Sequence, residues 1–242
     1  MCESCRPPLS FAPSRRAALL FAASAIGLSL ANAAGAKETK KPPKPENVVS
    51  PEAALERLKE GNARYVEGVA RRHDFRHERE ALAGGQNPYA AILSCADSRI
   101  APEYAFDSGR GDLFVCRVAG NFANDDTIAS LEYAVAVLNT PLIMVLGHDA
   151  CGAIDATIKS LKDNTTLPGH LPSLVMALAP AVKASSGQGG DALAAAIRQN
   201  VVDNVAKLKT AAPILNAAVE QNKLKVVGGI YRLTSGKVDL IG

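Results

Sequence analysis

The chain has 242 residues, of which 48% are hydrophobic and 21% charged, and its net charge is only +3. This length suits one domain of about 150–200 residues with appendages. No basic stripe is interleaved with aromatic residues, so the sequence argues against a nucleic-acid partner. The five cysteines are odd in number and irregularly spaced, which excludes a simple disulfide framework and leaves metal binding or burial as their roles.

Residues 1–36 are predicted to be an export signal. Arg15 and Arg16 precede an apolar run over residues 17–30, and small residues follow that could be cleaved. The paired arginines favour the twin-arginine route, and the expected destination is the periplasm. The run is too short for a comfortable transmembrane helix, so no stable membrane association is expected after cleavage. An uncleaved membrane anchor is the alternative.

Residues 37–49 are predicted to be a Pro- and Lys-rich linker, and residues 50–242 the folded domain. The domain opens with a helical arm, since Ser50 suits a helix N-cap and Pro51 the first helical position. The charged segment 71–80 that follows the arm is predicted to be a solvated surface.

Strand-length apolar runs alternate with helical patterns through the rest of the domain. The expected strands are residues 89–93, 113–118, 141–146, 225–233 and 237–241, and the expected helices are residues 126–138, 171–184, 193–208 and 214–221. The strand at 141–146 is apolar throughout, as in a parallel sheet covered on both faces. The sequence therefore predicts an α/β fold, with a mainly parallel central sheet flanked by helices and an N-terminal helical arm.

A thiol, a carboxylate and a guanidinium directly follow the first predicted strand, as Cys95, Asp97 and Arg99. Alternate residues of an extended chain point to the same side, so an extended conformation would direct all three into one site. A thiolate is a soft metal ligand, and arginine can clamp a carboxylate. The stretch therefore predicts a metal site that needs further ligands.

His148 and Cys151 are the candidates for those ligands, because they follow another buried strand and open α/β sheets bind ligands at such strand ends. With Cys95 they make two thiolates and one imidazole, the set of a catalytic zinc site with one open position. The alternatives are buried core cysteines, a histidine bonded to backbone, an ordinary Asp97–Arg99 ion pair, or a closed structural zinc site with Asp97 as fourth ligand.

The motifs at residues 95–99 and 148–152 resemble those of the β-class carbonic anhydrases. The similarity continues through residues 112–121, 130–135 and 225–231 and covers nearly all of the predicted domain. The fold that this resemblance implies is the same α/β fold that the alternating pattern predicts.

The resemblance implies reversible hydration of carbon dioxide to bicarbonate and a proton, through a zinc-bound hydroxide. It implies one Zn²⁺ per chain on Cys95, His148 and Cys151. Asp97 would accept a hydrogen bond from the hydroxide and Arg99 would hold that carboxylate, both as catalytic residues. Gly152 is a candidate substrate contact.

Some members of the family have a closed state in which the aspartate binds zinc and bicarbonate occupies an allosteric pocket. Those members carry a tryptophan three residues before the first cysteine. Ile92 stands there in this chain, although Arg117 matches the family's arginine near that pocket. We therefore expect an open site, with Asp97 as fourth ligand only in a closed state.

Two other functions fit the same ligand set. One is hydrolysis of a related small molecule, carbonyl sulfide or carbon disulfide, and the other is non-catalytic zinc binding in a closed site. The resemblance also implies a homodimer or a higher even oligomer.

Overall fold

The computed structural model describes residues 47–187 and 189–241. The predicted export signal and residues 37–46 of the predicted linker lie outside this part of the chain. Within it, no helix combines the length and the hydropathy that crossing a membrane requires.

Helix α1, Pro51–Val66, is the predicted N-terminal arm. Ser50 caps it, because the Ser50 hydroxyl accepts a hydrogen bond from the Ala53 amide at 3.2 Å. The packed structure starts before the cap: Asn47 is buried, and its amide donates to Asp112 Oδ1 at 3.0 Å. The last residues of the predicted linker are thus part of the fold.

Helix α2, Phe75–Leu82, occupies the charged segment in which no helix was predicted. Asp74 caps it through the His77 amide, and none of its residues is buried. The segment is solvated as expected, but its capping residue still supports a helix without a buried face. A second unpredicted helix is the single turn α3, Pro102–Ala105.

Five strands form one sheet in the order β2-β1-β3-β4-β5. Their bounds are Ala90–Ser94 for β1, Leu113–Arg117 for β2, Leu142–His148 for β3, Lys225–Tyr231 for β4 and Val238–Ile241 for β5. The first four are parallel, and β5 returns antiparallel along β4. The predicted α/β class and mainly parallel sheet are confirmed.

The remaining helices flank this sheet, and four of them agree with the predicted positions to within a few residues. These four are α4 Asp125–Ala136, α6 Leu171–Ser185, α7 Ala192–Lys209 and α8 Ile214–Glu220, while α5, Gly152–Asp163, had no predicted bounds. Helix α7 lies so close to β3 that a Cβ on Gly147 would come within 2.7 Å of Val201 Cγ2. Glycine at that position lets the helix approach the end of the strand.

The strand register brings the two sequence motifs together. Ser94, the last residue of β1, pairs with Leu146 of β3. Cys95 therefore leaves the sheet close to His148, which is the last residue of β3 rather than part of the following loop. Parallel strands that end at one edge thus place both motifs at a single site.

Candidate metal centre

Three donor atoms converge at the carboxyl ends of β1 and β3. The Cys95 and Cys151 sulfurs and a ring nitrogen of His148 all lie within 4.8 Å of one another, and all three residues are buried. Cys95 follows β1, His148 ends β3, and Cys151 is the N-cap residue of α5. The two motifs that the sequence placed at separate strand ends therefore supply one cluster.

The orientation of the His148 ring leaves one nitrogen free for a cation. Its Nδ1 lies 2.8 Å from the Asp149 carbonyl oxygen. A carbonyl can only accept a hydrogen bond, so Nδ1 carries the proton and Nε2 carries a lone pair. Nε2 is buried and has no hydrogen-bond partner among the described residues. Such an orphaned acceptor beside two thiols fits a metal ion, and two sulfurs with one imidazole fit zinc.

The two thiols favour the same conclusion. Without an ion between them, the hydrogen bond from Cys151 lowers the pKa of Cys95, while the same interaction raises the pKa of Cys151. Two adjacent thiols share one negative charge in this way because a second charge would be repelled. A divalent cation between the two sulfurs offsets this charge repulsion and holds both as thiolates. The N-terminus of α5 adds a favourable dipole at Cys151.

A tight turn separates the two ligands on the second motif. Ala150 has a φ of +50°, a left-handed conformation that alanine seldom adopts. Asp149 fixes the turn to β4 and beyond, since its amide donates to the Tyr231 carbonyl at 3.2 Å and its carboxylate accepts from the Leu233 amide at 2.9 Å. The sequence did not predict a role for Asp149, although its position between two ligands was the available signal.

Asp97 and Arg99 form a two-bond pair beside the donors. Arg99 Nε lies 2.9 Å from Asp97 Oδ1, and Nη2 lies 2.6 Å from Oδ2. The expected extended conformation is wrong beyond Asp97, because the Ile100 amide bonds to the Asp97 carbonyl and closes a turn. The turn brings Arg99 back onto the carboxylate. This contact holds the pKa of Asp97 well below its usual range.

Asp97 borders the donor cluster without belonging to it. Its Oδ2 lies 3.9 Å from His148 Nε2, yet among the described residues the cluster of mutually close donors consists of the two cysteines and the histidine. Arg99 links the motifs a second time by donating to the Ala150 carbonyl at 3.3 Å. Gly152 is the exposed first residue of α5 and has open space beside it. Its role as a substrate contact stays a prediction.

Arg117 holds the backbone of the first motif in place. This last residue of β2 donates to the carbonyls of Cys95 at 2.9 Å, Asp97 at 2.7 Å and Ile100 at 2.9 Å. The sequence did not predict these contacts. The available signal was an arginine at the end of a strand that neighbours the strand carrying a ligand.

Comparison with known proteins identifies the family. The family model described as carbonic anhydrase matches residues 90–238. Carbonic anhydrase 2 of Mycobacterium tuberculosis is 39% identical over 192 residues, covering 79% of this chain and 93% of that protein. The carbonic anhydrase of Mycolicibacterium smegmatis is 37% identical with the same coverage.

Solved structures give the class. A structure reported for two tetrameric β-carbonic anhydrases of the filamentous ascomycete Sordaria macrospora matches with a TM-score of 0.62 and 26% identity, covering 79% of this chain and 98% of that chain. The β-carbonic anhydrase CcaA matches with a TM-score of 0.58 and 29% identity, covering 78% of this chain and 98% of that chain. The chain belongs to the β-class carbonic anhydrases, which are zinc enzymes that hydrate carbon dioxide.

Proposed function

We propose that this chain catalyses the reversible hydration of carbon dioxide to bicarbonate with one zinc ion held by Cys95, His148 and Cys151. The observation that carries this assignment is the buried donor cluster, in which His148 Nε2 lacks a partner while its other nitrogen is fixed by backbone. When bound there, zinc acts as a Lewis acid that makes water a competent nucleophile.

Asp97 orients the reacting water in this proposal. An ionised carboxylate can only accept hydrogen bonds, so the water must turn its proton towards Asp97 and its lone pair towards the substrate. Arg99 keeps the carboxylate ionised and fixed through the two short bonds. Arg117 sets the position of the same loop through its carbonyls and touches no reacting atom.

The same contacts support an open site at rest. For Asp97 to become a fourth ligand, its carboxylate would have to leave Arg99 and break two charge-assisted bonds. Nothing in the described part of the chain offers Arg99 a replacement carboxylate at hydrogen-bond distance. The non-catalytic, closed arrangement is therefore the less favoured of the two states.

The test combines zinc content with the carbon dioxide hydration rate, measured by stopped flow on protein that lacks residues 1–36. The expected result is one zinc per chain and rapid hydration. Cys151→Ser should lose zinc and activity together, because one of three ligands is removed. Cys116→Ser is the matched control: this thiol lies on β2, outside the donor cluster, and its loss should preserve both. Zinc-loaded protein that is inactive at every pH would contradict the proposal.

A homodimer or a higher even oligomer is the proposed assembly. The tetrameric relatives support it, and so do large apolar side chains on the surface of the described residues, including Tyr104 at 74% exposure and Met176 at 71%. Light scattering on the purified protein tests it. A monomer at micromolar concentration would exclude it.

Export to the periplasm by the twin-arginine route is the proposed localisation. Its support is the sequence pattern at Arg15 and Arg16, together with the chemistry of the site, since folding and zinc loading before export would protect the two thiolate ligands from oxidation. Replacing both arginines by lysine should leave the enzyme inside the cell. Unchanged periplasmic enzyme would rule this route out.

A further inference from the structure

One side of Cys95 is contacted by the loop that follows β2. The Gly120 amide donates to the Cys95 sulfur at 3.3 Å. An N–H donor at a thiolate withdraws charge from the sulfur and fixes its direction. Gly120 has a φ of +87°. A Cβ on it would come within 2.7 Å of Leu178 Cδ1, so the backbone at Gly120 also packs closely against α6.

Helix α7 holds this loop from the opposite side through a buried asparagine. Asn200 is 2% exposed, and its Nδ2 donates to the Gly120 carbonyl at 2.8 Å. Its amide orientation is fixed, because Asn204 Nδ2 donates to Asn200 Oδ1 at 3.1 Å and so assigns that atom as the acceptor. The nitrogen of Asn200 must therefore face Gly120.

The same face of α7 anchors the loop again one turn later. Asn204 Oδ1 accepts from the Ala123 amide at 2.7 Å, and Lys207 Nζ donates to the Ala123 carbonyl at 2.6 Å. Asn200, Asn204 and Lys207 stand at i, i+4 and i+7, which is one stripe of a helix. Buried amides are costly unless they are bonded. Asn200 Nδ2 and Asn204 Oδ1 bond to this loop, while Asn204 Nδ2 bonds back to Asn200.

We infer that Asn200 is a positioning residue for the metal ligand Cys95, acting through the Gly120 N–H group that donates to the ligand sulfur. The inference rests on the proposed assignment of Cys95 as a zinc ligand. The partners of the Asn200 side chain are Gly120 and Asn204, so it acts on the metal ligand indirectly. Its effect is to keep the loop where the Gly120 amide points at the sulfur.

Cadmium-113 bound to the wild-type protein tests the contact directly. A hydrogen bond to a metal-bound sulfur transmits scalar coupling, so the Gly120 amide proton should couple to the ¹¹³Cd nucleus in a heteronuclear NMR spectrum. Absence of this coupling, in protein that binds one cadmium per chain, would overturn the inference. Protein that binds no cadmium or zinc would instead refute the proposed metal centre, so the two failures are distinguishable.

Asn200→Ala and the volume-filling Asn200→Leu test the effect on the site. In the cobalt-substituted protein, the thiolate-to-cobalt charge-transfer band should shift to longer wavelength, because a sulfur without its N–H donor holds its electrons less tightly. The Gly120 amide should also exchange its hydrogen faster, and zinc affinity should fall about tenfold.

Ser160→Ala is the matched control. Ser160 also uses its side chain to bond a backbone carbonyl, that of Thr165 at 2.6 Å, but it lies more than two helical turns beyond Cys151. Its loss should lower stability without moving the cobalt band. An unmoved band in a folded Asn200 variant, or an equal shift in Ser160→Ala, would overturn the inference. Should neither Asn200 variant fold, the cadmium coupling decides.

Discussion

Two aspartate–arginine pairs in this protein have the same chemistry and different surroundings. Asp97 and Arg99 are two residues apart, and the side chains are 17% and 52% exposed. Asp107 and Arg64 are 43 residues apart, and the Asp107 side chain is only 3% exposed. The first pair lies beside the buried donor cluster, whereas the second joins the N-terminal arm to the loop after α3.

The difference shows which pair can act in catalysis. Asp107 accepts from Arg64 Nε at 2.6 Å and from the Arg71 amide at 2.9 Å, and none of its hydrogen-bond partners belongs to the donor cluster. Asp97 is held as tightly, yet its Oδ2 still faces His148 Nε2 at 3.9 Å. An ion pair is catalytic or structural according to what lies beside its carboxylate. Substitutions in the Asp97–Arg99 pair and at Asp107 therefore test the catalytic and the structural role separately.

The largest expected effect is that of Asp97→Asn. The amide keeps the size of the side chain but can no longer act as an acceptor at both oxygens, so kcat/KM for carbon dioxide should fall by about 100-fold or more. Zinc should remain at one per chain. Asp239→Asn is the control, since Asp239 forms a similar pair with Arg232 at 2.8 Å on the surface. Full activity in zinc-loaded Asp97→Asn would remove Asp97 from the mechanism.

Arg99→Ala should have a smaller effect, because the carboxylate remains. The pKa of Asp97 would return towards its ordinary value of about 3.9, which still leaves it ionised at neutral pH. What is lost is its fixed direction, together with the bond to the Ala150 carbonyl. We expect kcat/KM to fall about tenfold, by analogy with the loss of groups that orient a ligand. A loss as large as that of Asp97→Asn would mean that Arg99 contacts the reactants itself.

The two pairs also differ in what the sequence could predict. Asp97 and Arg99 belong to one short motif after an apolar strand, so their meeting depends only on local chain geometry. Even there the turn at Ile100 was missed, although an aspartate often begins such a turn and Asp97 Oδ1 accepts from the Arg99 amide at 2.9 Å. The partners of Asp107 come from the arm and from the segment before α2, and a contact across 43 residues has no local signal.

Other residues were missed for related physical reasons. Helix α2 has only eight residues and none of them is buried, so it is too short to show the apolar period that identified the longer helices. Arg117 and Asn200 bind backbone carbonyls of distant loops, and any exposed polar residue would look the same in the sequence. The metal ligands were predictable because two thiols and an imidazole at strand ends restrict the chemistry strongly.

Asp107→Asn should affect stability and leave the catalytic rate of the folded enzyme unchanged. Asparagine tolerates the φ of +42° at this position, so the change removes charge without adding strain. Burial alone would raise the pKa of Asp107, but the bonds from Arg64 and Arg71 outweigh it and leave the pKa lowered. Loss of charge-assisted bonds at a buried site should lower the free energy of unfolding by about 2 kcal/mol at neutral pH.

The sign of the pH dependence follows from that lowered pKa. The stabilisation by Asp107 is present above the unfolded-state pKa of about 3.9, and it disappears as pH falls through the lower pKa of the folded state. The difference in unfolding free energy between wild type and Asp107→Asn should thus be constant above about pH 5 and shrink in acid. Urea titrations at pH values from about 2.5 to about 7, a range that spans carboxylate titration, measure this difference in unfolding free energy. A difference that grows in acid would contradict the assignment.

The smallest expected effect concerns backbone conformation. It contrasts the loop that carries Asp107 with the turn between the metal ligands His148 and Cys151. Asp107 and Ala150 both have positive φ angles, at +42° and +50°. Aspartate tolerates this conformation because its short polar side chain can bond locally, whereas alanine gains nothing from it and is strained by about 1 kcal/mol. The strained residue is the one between the two metal ligands of the second motif.

Ala150→Gly should relieve that strain, but glycine also gains freedom in the unfolded chain, worth about 0.4–1 kcal/mol. The unfolding free energy should therefore change by less than about 0.5 kcal/mol, the difference between these two opposing effects. Ala156→Gly, in the interior of α5, is the matched control and should lose about 1 kcal/mol because it has no strain to relieve. Zinc content and hydration rate should stay unchanged in both variants. Equal destabilisation by Ala150→Gly and Ala156→Gly would show that the left-handed turn at Ala150 is unstrained. The positive φ between the two metal ligands would then carry no energetic cost.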